Sequence, residues 1–302
     1  MEVSNFGKVA VLMGGTSNER DISLESGEAV LAALLRKGVA AEAIDPKTSN
    51  LEQLKNFNRA FICLHGKDGE DGKIQNFLEG IKVPYSGSGI LSSSIGMDKF
   101  KSKKIWKSKN ITTPEFMQVK HVSDFEKASN FCGLPFFIKP ANSGSSIGIA
   151  IINNENDFIF AFEEAYKIDK IVIAESFVYG NEYTVPIIHN KPFPIIEIKS
   201  KTEFYDYEAK YLRNDTEFIC PADIALPLVK DINILCINAF NAIGCDGWGR
   251  VDFIIDKNKK IYIIEINTVP GMTDHSLVPM SAKYSGVEFD DLVIMILETS
   301  NA

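Results

Sequence analysis

WGRVDFIIDKNKKIYIIEIN, Trp248 to Asn267, places two alternating apolar runs on either side of the polar segment Lys257-Asn258-Lys259-Lys260. That pattern predicts a β-hairpin with a four-residue loop. With the register set by the loop, Asp252 stands opposite Glu265 and Arg250 opposite Asn267. Facing side chains in such a pair lie about 4.5–5.5 Å apart, and like charges there repel. Something positive must sit between the carboxylates. Asn267 lies two residues beyond Glu265 on the same face, so the site offers two carboxylates and an amide oxygen. Such hard oxygen donors suit Mg²⁺ held together with substrate phosphates. The plainer reading turns one carboxylate to solvent and pairs the other with Arg250 or a turn lysine.

Outward from the hairpin, the N-terminal stretch has another texture. Lys8–Met13 reads as a buried strand, GGTSNER as a Gly-rich turn, and Ile22 to Arg36 as an amphipathic helix stopped by Gly38. Val39–Ile44 and Arg59–Leu64 are further strands, the latter running into HGKDGEDG. This alternation predicts a parallel α/β sheet with ligands at the carboxyl ends of its strands, where both Gly-rich turns fall. After Pro84 comes the small-residue stretch SGSGILSSSIGMDK, then a helical segment to about Lys109. From Ile111 strands and hairpins dominate: PFFIKP, the loop Ala141–Gly148, a helix over Phe158–Tyr166, and the strand Ile171–Ser176. The charged, aromatic segment Lys199–Asp215 has the character of a lid loop. Leu228–Gly244 is an amphipathic helix, and SGVEFDDLVIMILETS a closing one.

At 302 residues the chain suits two or three domains, at roughly 100–200 residues each. A net charge of −8 argues against a general nucleic-acid or anionic-membrane surface, though not against a phosphate held by a few placed lysines. The five scattered cysteines lack CxxC spacing and fit a reducing cytosol. MEVSNFGK has no apolar leader region, and no apolar run approaches the ~18–20 residues of a spanning helix.

Several positions carry chemistry. Backbone N–H groups and hydroxyls of ANSGSSIG can converge on phosphate oxygens, although the chain has no GxxxxGK[ST] loop. Lys139, at a strand end beside that loop and bounded by apolar residues, needs an anionic partner. Glu19 fits a capping box with Thr16, but it also lies where a ligand would lie and could hold an ammonium. His65 and His275 stand beside the ligand loops, and none of the four histidines has metal-ligand spacing. Gly87–Gly89 lacks the third glycine of a dinucleotide fingerprint, and no GxSxG elbow occurs.

The runs MGGTSNERDISLESG, HGKDGEDGKIQ, PYSGSGILSSSIGMDKFKSK, IKPANSGSSIG, FYDYEAKY, GWGRVDF and EINTVPGMTDHSLVP occur in one order along nearly the whole chain. In this the chain resembles the D-alanine–D-alanine ligases of the ATP-grasp superfamily. Its differences, at Ile266, Val269 and Ala141–Ser143, fall where that family varies. The resemblance implies an α/β (α+β) ATP-grasp fold of three domains. These are a Rossmann-like N-terminal domain over 1–98, a central lid domain over 99–184 and a C-terminal domain over 185–302. It implies ATP as co-substrate, with Lys99, Lys139 and Lys210 on the phosphates, Glu175, Phe177 and Val178 at the adenine edge, and Glu182 on the ribose. Asp252, Glu265 and Asn267 would hold two Mg²⁺ ions, for which Mn²⁺ could substitute. Glu19, linked to Ser145 and Tyr211, would clamp the ammonium of a first D-alanine, with His65 beside it. Arg250 and the N–H of Gly271 would stabilise an oxyanion, and Ser276 with Leu277 would hold the second substrate's carboxylate. Tyr211 would favour an amine over a hydroxy acid as acceptor.

The same resemblance implies a cytoplasmic homodimer that makes D-alanyl-D-alanine for peptidoglycan, without nucleic-acid or membrane partners. Three other readings compete. Another ATP-grasp carboxylate–amine ligase would not need Glu19, Tyr211 and Ser276, and a nucleotide-binding regulator would not need Arg250. An NAD-dependent oxidoreductase would need the missing GxGxxG.

Overall fold

The structure is a computed structural model that describes residues 6–144, 147–199, 216–273 and 275–300. Ser145, Lys210 and Tyr211, together with the lid segment after Lys199, lie outside the described residues.

Val9–Leu12 (β1), Ala41–Ile44 (β2) and Arg59–Ile62 (β3) form a parallel sheet in the order β2-β1-β3. The wholly apolar β1 is buried on both faces, as a parallel strand with helices across it must be. Arg20–Arg36 (α1) links β1 to β2, and Lys73–Gly80 (α2) follows β3. The predicted strand–turn–helix alternation is therefore present, and both Gly-rich turns leave the carboxyl ends of strands.

The small-residue stretch after Pro84, to which the sequence alone assigns no element, contains a helix, Ile90–Met97 (α3), followed by Lys99–Ser108 (α4). Ser92, Ser93 and Gly96 are buried in α3, and a Cβ added at Gly96 would meet the Thr268 methyl at 3.2 Å. Small side chains here serve close packing, which local propensity does not reveal. Asp98 separates the two helices and caps α4, accepting from the Lys101 N–H at 3.0 Å.

Four antiparallel strands make the second sheet, in the order β4-β7-β5-β6: Phe116–Val119 (β4), Phe136–Pro140 (β5), Ala150–Ile152 (β6) and Val172–Ser176 (β7). Phe125–Cys132 (α5) and Glu155–Ile168 (α6) cover one face, burying Phe136, Ile138, Phe158 and Ala174. The register pairs Phe137 with Glu175, so Phe137, Lys139 and Glu175 share the opposite face.

The third sheet is antiparallel. It contains Gly180–Ile188 (β8), Lys191–Pro192 (β9), Ile196–Lys199 (β10), Glu217–Ile219 (β11), Trp248–Asp256 (β12) and Ile261–Asn267 (β13). Leu226–Ala242 (α7) backs it through Ile232, Cys236 and Phe240, and Trp106 of α4 joins the same cluster. Leu277–Tyr284 (α8) and Phe289–Glu298 (α9) return to the first sheet. Arg36 pairs with Asp290 through two hydrogen bonds, of 2.9 and 2.6 Å, so the last helix docks on the first. Among the described residues no helix is long and apolar enough to cross a membrane.

Candidate active site

The decisive hairpin has the predicted pairing, Asp252 with Glu265 and Arg250 with Asn267, but reaches it by an unexpected route. At the turn Ile255 pairs with Ile261, and the Asp256 N–H donates to the Lys260 carbonyl at 3.0 Å. The loop is thus the three residues 257–259, with Lys259 at φ +63°, as a three-residue hairpin requires at its left-handed position. That shifts the register by one. A bulge at Ile264, where Asp252 pairs Glu265 but Phe253 pairs Ile263, shifts it back. Bulges increase local twist and re-aim side chains, which suits a strand end carrying two facing carboxylates.

Each carboxylate has a cationic neighbour. Asp252 is 4% exposed and accepts from Arg250 Nε at 2.8 Å and Nη2 at 2.9 Å, and also from Thr184 Oγ1 at 2.5 Å. The plainer reading of an Arg250 pair is therefore realised for Asp252. Glu265 Oε2 lies 3.3 Å from Lys99 Nζ, which donates to the Ser143 carbonyl at 2.7 Å. Asn267 Oδ1 accepts from the Val269 N–H at 3.1 Å. No cluster of three His, Cys, Asp or Glu side chains stands ready for a metal among the described residues. The donor set here is two carboxylates and an amide. Two register-paired carboxylates with an amide oxygen still fit a hard divalent cation, because Arg250 and Lys99 balance the two carboxylates alone and leave the charge of incoming phosphates unmet.

Lys139 meets its predicted anion. Its Nζ donates to Glu175 Oε1 at 2.7 Å, and both side chains are buried. Glu175 Oε2 lies 2.9 Å from the Nζ of Lys103, a residue of α4 that the sequence reading passed over. Beyond Glu175, Phe177 stacks on Phe137 with ring centroids 5.1 Å apart. A cavity of about 660 Å³ opens beside Ser176–Tyr179 and is closed on its other side by Asp256, Lys260 and Tyr262 of the hairpin. Glu182 lies on β8 opposite Ile254.

The capping box at Glu19 does not form. α1 starts at Arg20, Glu19 is its N-cap residue without a side-chain cap bond, and Thr16 Oγ1 bonds Asp68 instead. The Glu19 carboxylate turns to the neighbouring loops. A Cβ on Gly66 (φ +69°) would run into Glu19 Oε2, and one on Gly144 would lie 3.3 Å from it. Gly66 is therefore required both for its backbone angle and for the approach of that carboxylate. Sequence reasoning also missed Glu70, whose Oε2 accepts from the Gly66 N–H at 2.9 Å. Desolvation, then the adjacent Glu19 carboxylate, raise Glu70 well above the usual carboxylate range. The only cue was its place in HGKDGEDG, where an acidic residue reads as solvated turn.

His65 bridges the first sheet to the loop after β13. Its Nδ1 lies 2.9 Å from the Val269 carbonyl and its Nε2 3.2 Å from Ser26 Oγ, which also accepts from the Met272 N–H at 3.0 Å. The carbonyl needs a donor, which fixes the Nδ1–H tautomer and leaves Nε2 to accept from the serine. Burial depresses the His65 pKa against the opposing pull of Glu19. The folded state thus resists a proton that the unfolded chain accepts below about pH 6.5, and this contribution to stability is lost as pH falls. Thermal midpoints measured from pH 7.5 to 5 are expected to drop more steeply for the wild type than for His65→Gln. Equal slopes would refute the assignment.

Ser276 is the N-cap residue of α8, its Oγ accepting from the Thr273 N–H at 2.9 Å. The Leu277 N–H begins the helix, where unpaired donors attract a carboxylate. A Cβ on Gly271 would lie 3.0 Å from Ser276 Oγ, so the predicted oxyanion donor and acceptor-site residues are neighbours.

Two antiparallel sheets that set lysines against paired carboxylates, behind a parallel α/β unit, define an ATP-grasp enzyme. The family description "D-ala D-ala ligase C-terminus" matches residues 105–298, and "D-ala D-ala ligase N-terminus" matches 37–88. The D-alanine–D-alanine ligase of Dechloromonas aromatica is 50% identical over 298 residues, covering 98% of each chain. The crystal structure of the Bacillus anthracis D-alanine–D-alanine ligase complexed with ATP superposes with a TM-score of 0.84 at 32% identity, covering 97% of each chain. The VanG D-Ala:D-Ser ligase of Enterococcus faecalis superposes with a TM-score of 0.86 at 26% identity, over 98% of this chain and 100% of that one. The chain belongs to the D-alanine–D-alanine ligase family.

Proposed function

We propose that this enzyme joins two D-alanines to D-alanyl-D-alanine, converting ATP to ADP and phosphate and supplying peptidoglycan synthesis. The carrying observation is that Lys99 of α4 meets Glu265 of the third sheet's carboxylate pair while Lys139 stands on the second sheet, in a chain 50% identical to a D-alanine–D-alanine ligase. ATP lies between the second and third sheets, its phosphates met by Lys99 and Lys139 and by Lys210 from outside the described residues. The backbone of Glu175 to Val178 meets the adenine edge and Glu182 the ribose. Asp252, Glu265 and Asn267 would hold Mg²⁺, which supplies charge neutralisation to the transferring phosphoryl group when bound.

Glu19, with Ser145 and Tyr211, holds the ammonium of the first D-alanine. Glu70, whose carboxyl is pushed above the usual range beside Glu19, accepts from the Gly66 N–H in the same corner. The first substrate's carboxylate oxygen attacks the γ-phosphorus, the bond to the β–γ bridging oxygen breaks, and ADP leaves behind an acyl phosphate. The second D-alanine, held at Ser276 and Leu277, loses a proton from its ammonium. Its nitrogen then attacks the acyl carbon, and phosphate departs as the peptide bond forms. Arg250 and the Gly271 N–H stabilise the oxyanion between these events. Acyl phosphates hydrolyse, so closure of the Lys199–Asp215 segment over the cleft has a purpose in excluding water.

Three sheets support a division into three units close to the proposed 1–98, 99–184 and 185–302, although the 184/185 boundary falls inside β8 and the last two helices pack on the first sheet. A cytoplasmic homodimer accords with use of ATP and with the family.

The test is phosphate release from Mg-ATP with D-alanine, with L-alanine, and with D-alanine plus D-lactate or D-serine, the products weighed by mass spectrometry. One D-alanyl-D-alanine per phosphate is expected. A mixed product formed in preference, or phosphate without dipeptide, would keep the nucleotide site and reject the acceptor.

A further inference from the structure

Lys103 has no part in the chemistry above, yet it is one of the largest fully buried side chains in the molecule. It lies one helical turn after Lys99 on α4, so both ammonium groups leave the same helix face. Its Nζ lies 2.9 Å from Glu175 Oε2 and donates to Thr113 Oγ1 at 2.8 Å. The other Glu175 oxygen accepts from Lys139 at 2.7 Å. Lys103, Glu175 and Lys139 are respectively 0%, 1% and 5% exposed. Two ammonium groups on one buried carboxylate leave a local excess of positive charge, which the nearby Glu265 carboxylate and an incoming anion can share.

We propose that Lys103 is a positioning residue for the nucleotide: by sharing Glu175 it leaves Lys139 with positive charge to offer a phosphate. The inference rests on the ATP reading of the cleft. Without Lys103, Glu175 and Lys139 form a neutral buried pair, and an incoming phosphate must compete with Glu175 for its lysine. Burial outweighs the pull of Glu175 and holds Lys103 below the usual lysine range, whereas at Glu175 the attraction of Lys103 and Lys139 outweighs burial and leaves the carboxyl below the usual range. The bond to Thr113 adds a mechanical link. Thr113 lies on the chain crossing from α4 to β4, and Glu175 is the penultimate residue of β7, before the crossing to β8. One ammonium thus pins both crossings beside the adenine edge.

The experiment measures Mg-ADP affinity by calorimetry, and KM for ATP and for D-alanine, in wild type, Lys103→Met, Lys103→Arg and Lys103→Met/Glu175→Gln. Lys103→Met is expected to weaken nucleotide binding about tenfold while half-saturation by D-alanine stays within about twofold. The double variant removes the carboxylate that claims Lys139 and is expected to recover binding to within about threefold of wild type. Lys103→Arg keeps the charge and is expected to lie closer to wild type than Lys103→Met. Unchanged nucleotide affinity in Lys103→Met would overturn the proposal, as would a double variant no better than the single one. If Lys103→Met does not fold, the double variant alone decides, and binding more than about tenfold below wild type overturns the proposal. A wild-type chain that binds no nucleotide would overturn the ATP reading itself, an outcome distinct from both.

Discussion

Glu265→Gln is expected to lower phosphate release from Mg-ATP by at least about 10³-fold, the scale on which charge stabilisation of phosphoryl transfer acts. Gln keeps the shape and removes one negative charge. Glu265 faces Asp252 across the hairpin, so it is the carboxylate placed to share a cation with it. The amide leaves a single carboxylate and two weaker neutral donors, a poor set for a hard divalent ion. Lys99 also loses its charged neighbour at 3.3 Å. The fold should persist, because the Glu265 side chain is 28% exposed and the hairpin's packing comes from Val251, Phe253 and Ile263 on the opposite face. A thermal midpoint near the wild-type value, with turnover lost, is the expected pair of results. Activity within about tenfold of wild type would remove Glu265 from the metal set, and with it the reason for the facing carboxylates.

Glu19→Gln is expected to raise the D-alanine concentration needed for half-saturation by about 30–150-fold, corresponding to about 2–3 kcal/mol for a lost charge-assisted contact. The effect should be confined to the amino acid. Glu19 lies against Gly66 and Gly144, whereas the lysines assigned to the phosphates lie along α4 and β5. Nucleotide affinity in the absence of D-alanine should therefore not change. A variant with wild-type D-alanine saturation would return Glu19 to a purely structural role in the turn after β1.

These two residues differ in how far sequence reveals them. The facing of Asp252 and Glu265 follows from alternation and turn position, both of which are local. The loop proved one residue shorter than expected and the bulge at Ile264 restored the register, so the pairing was legible although its mechanism was not. Glu19 was ambiguous, because Thr-x-x-Glu is a capping signal whose use depends on where the helix starts. The structure resolves it by beginning α1 at Arg20, which leaves Thr16 to Asp68 and the carboxylate to the ligand loops.

Lys103 and Glu70 were invisible. Each is one charged residue among several in a charged run, and nothing local says that Lys103 will be buried or that Glu70 will accept from the Gly66 N–H. Lys99, Lys101, Lys103 and Lys104 read alike in the sequence. In the fold Lys103 is 0% exposed, while the side chain of Lys101 is 60% exposed. Helix α3 was missed for a related reason, since its serines and glycine are poor helix formers that are chosen to fit against β13.

By itself the sequence determined the parallel α/β start, the antiparallel hairpin, the two Gly-rich turns at strand ends and the family to which these belong. All of these are carried by periodicity, turn chemistry and motifs read within a few residues. Only the tertiary structure decided that the last helix closes on the first and that His65 ties the first sheet to the loop after β13. It also decided that Glu175 is shared between two buried lysines. Those outcomes depend on which distant charges meet away from water, where an unpaired group is costly and its partner can lie anywhere along the chain.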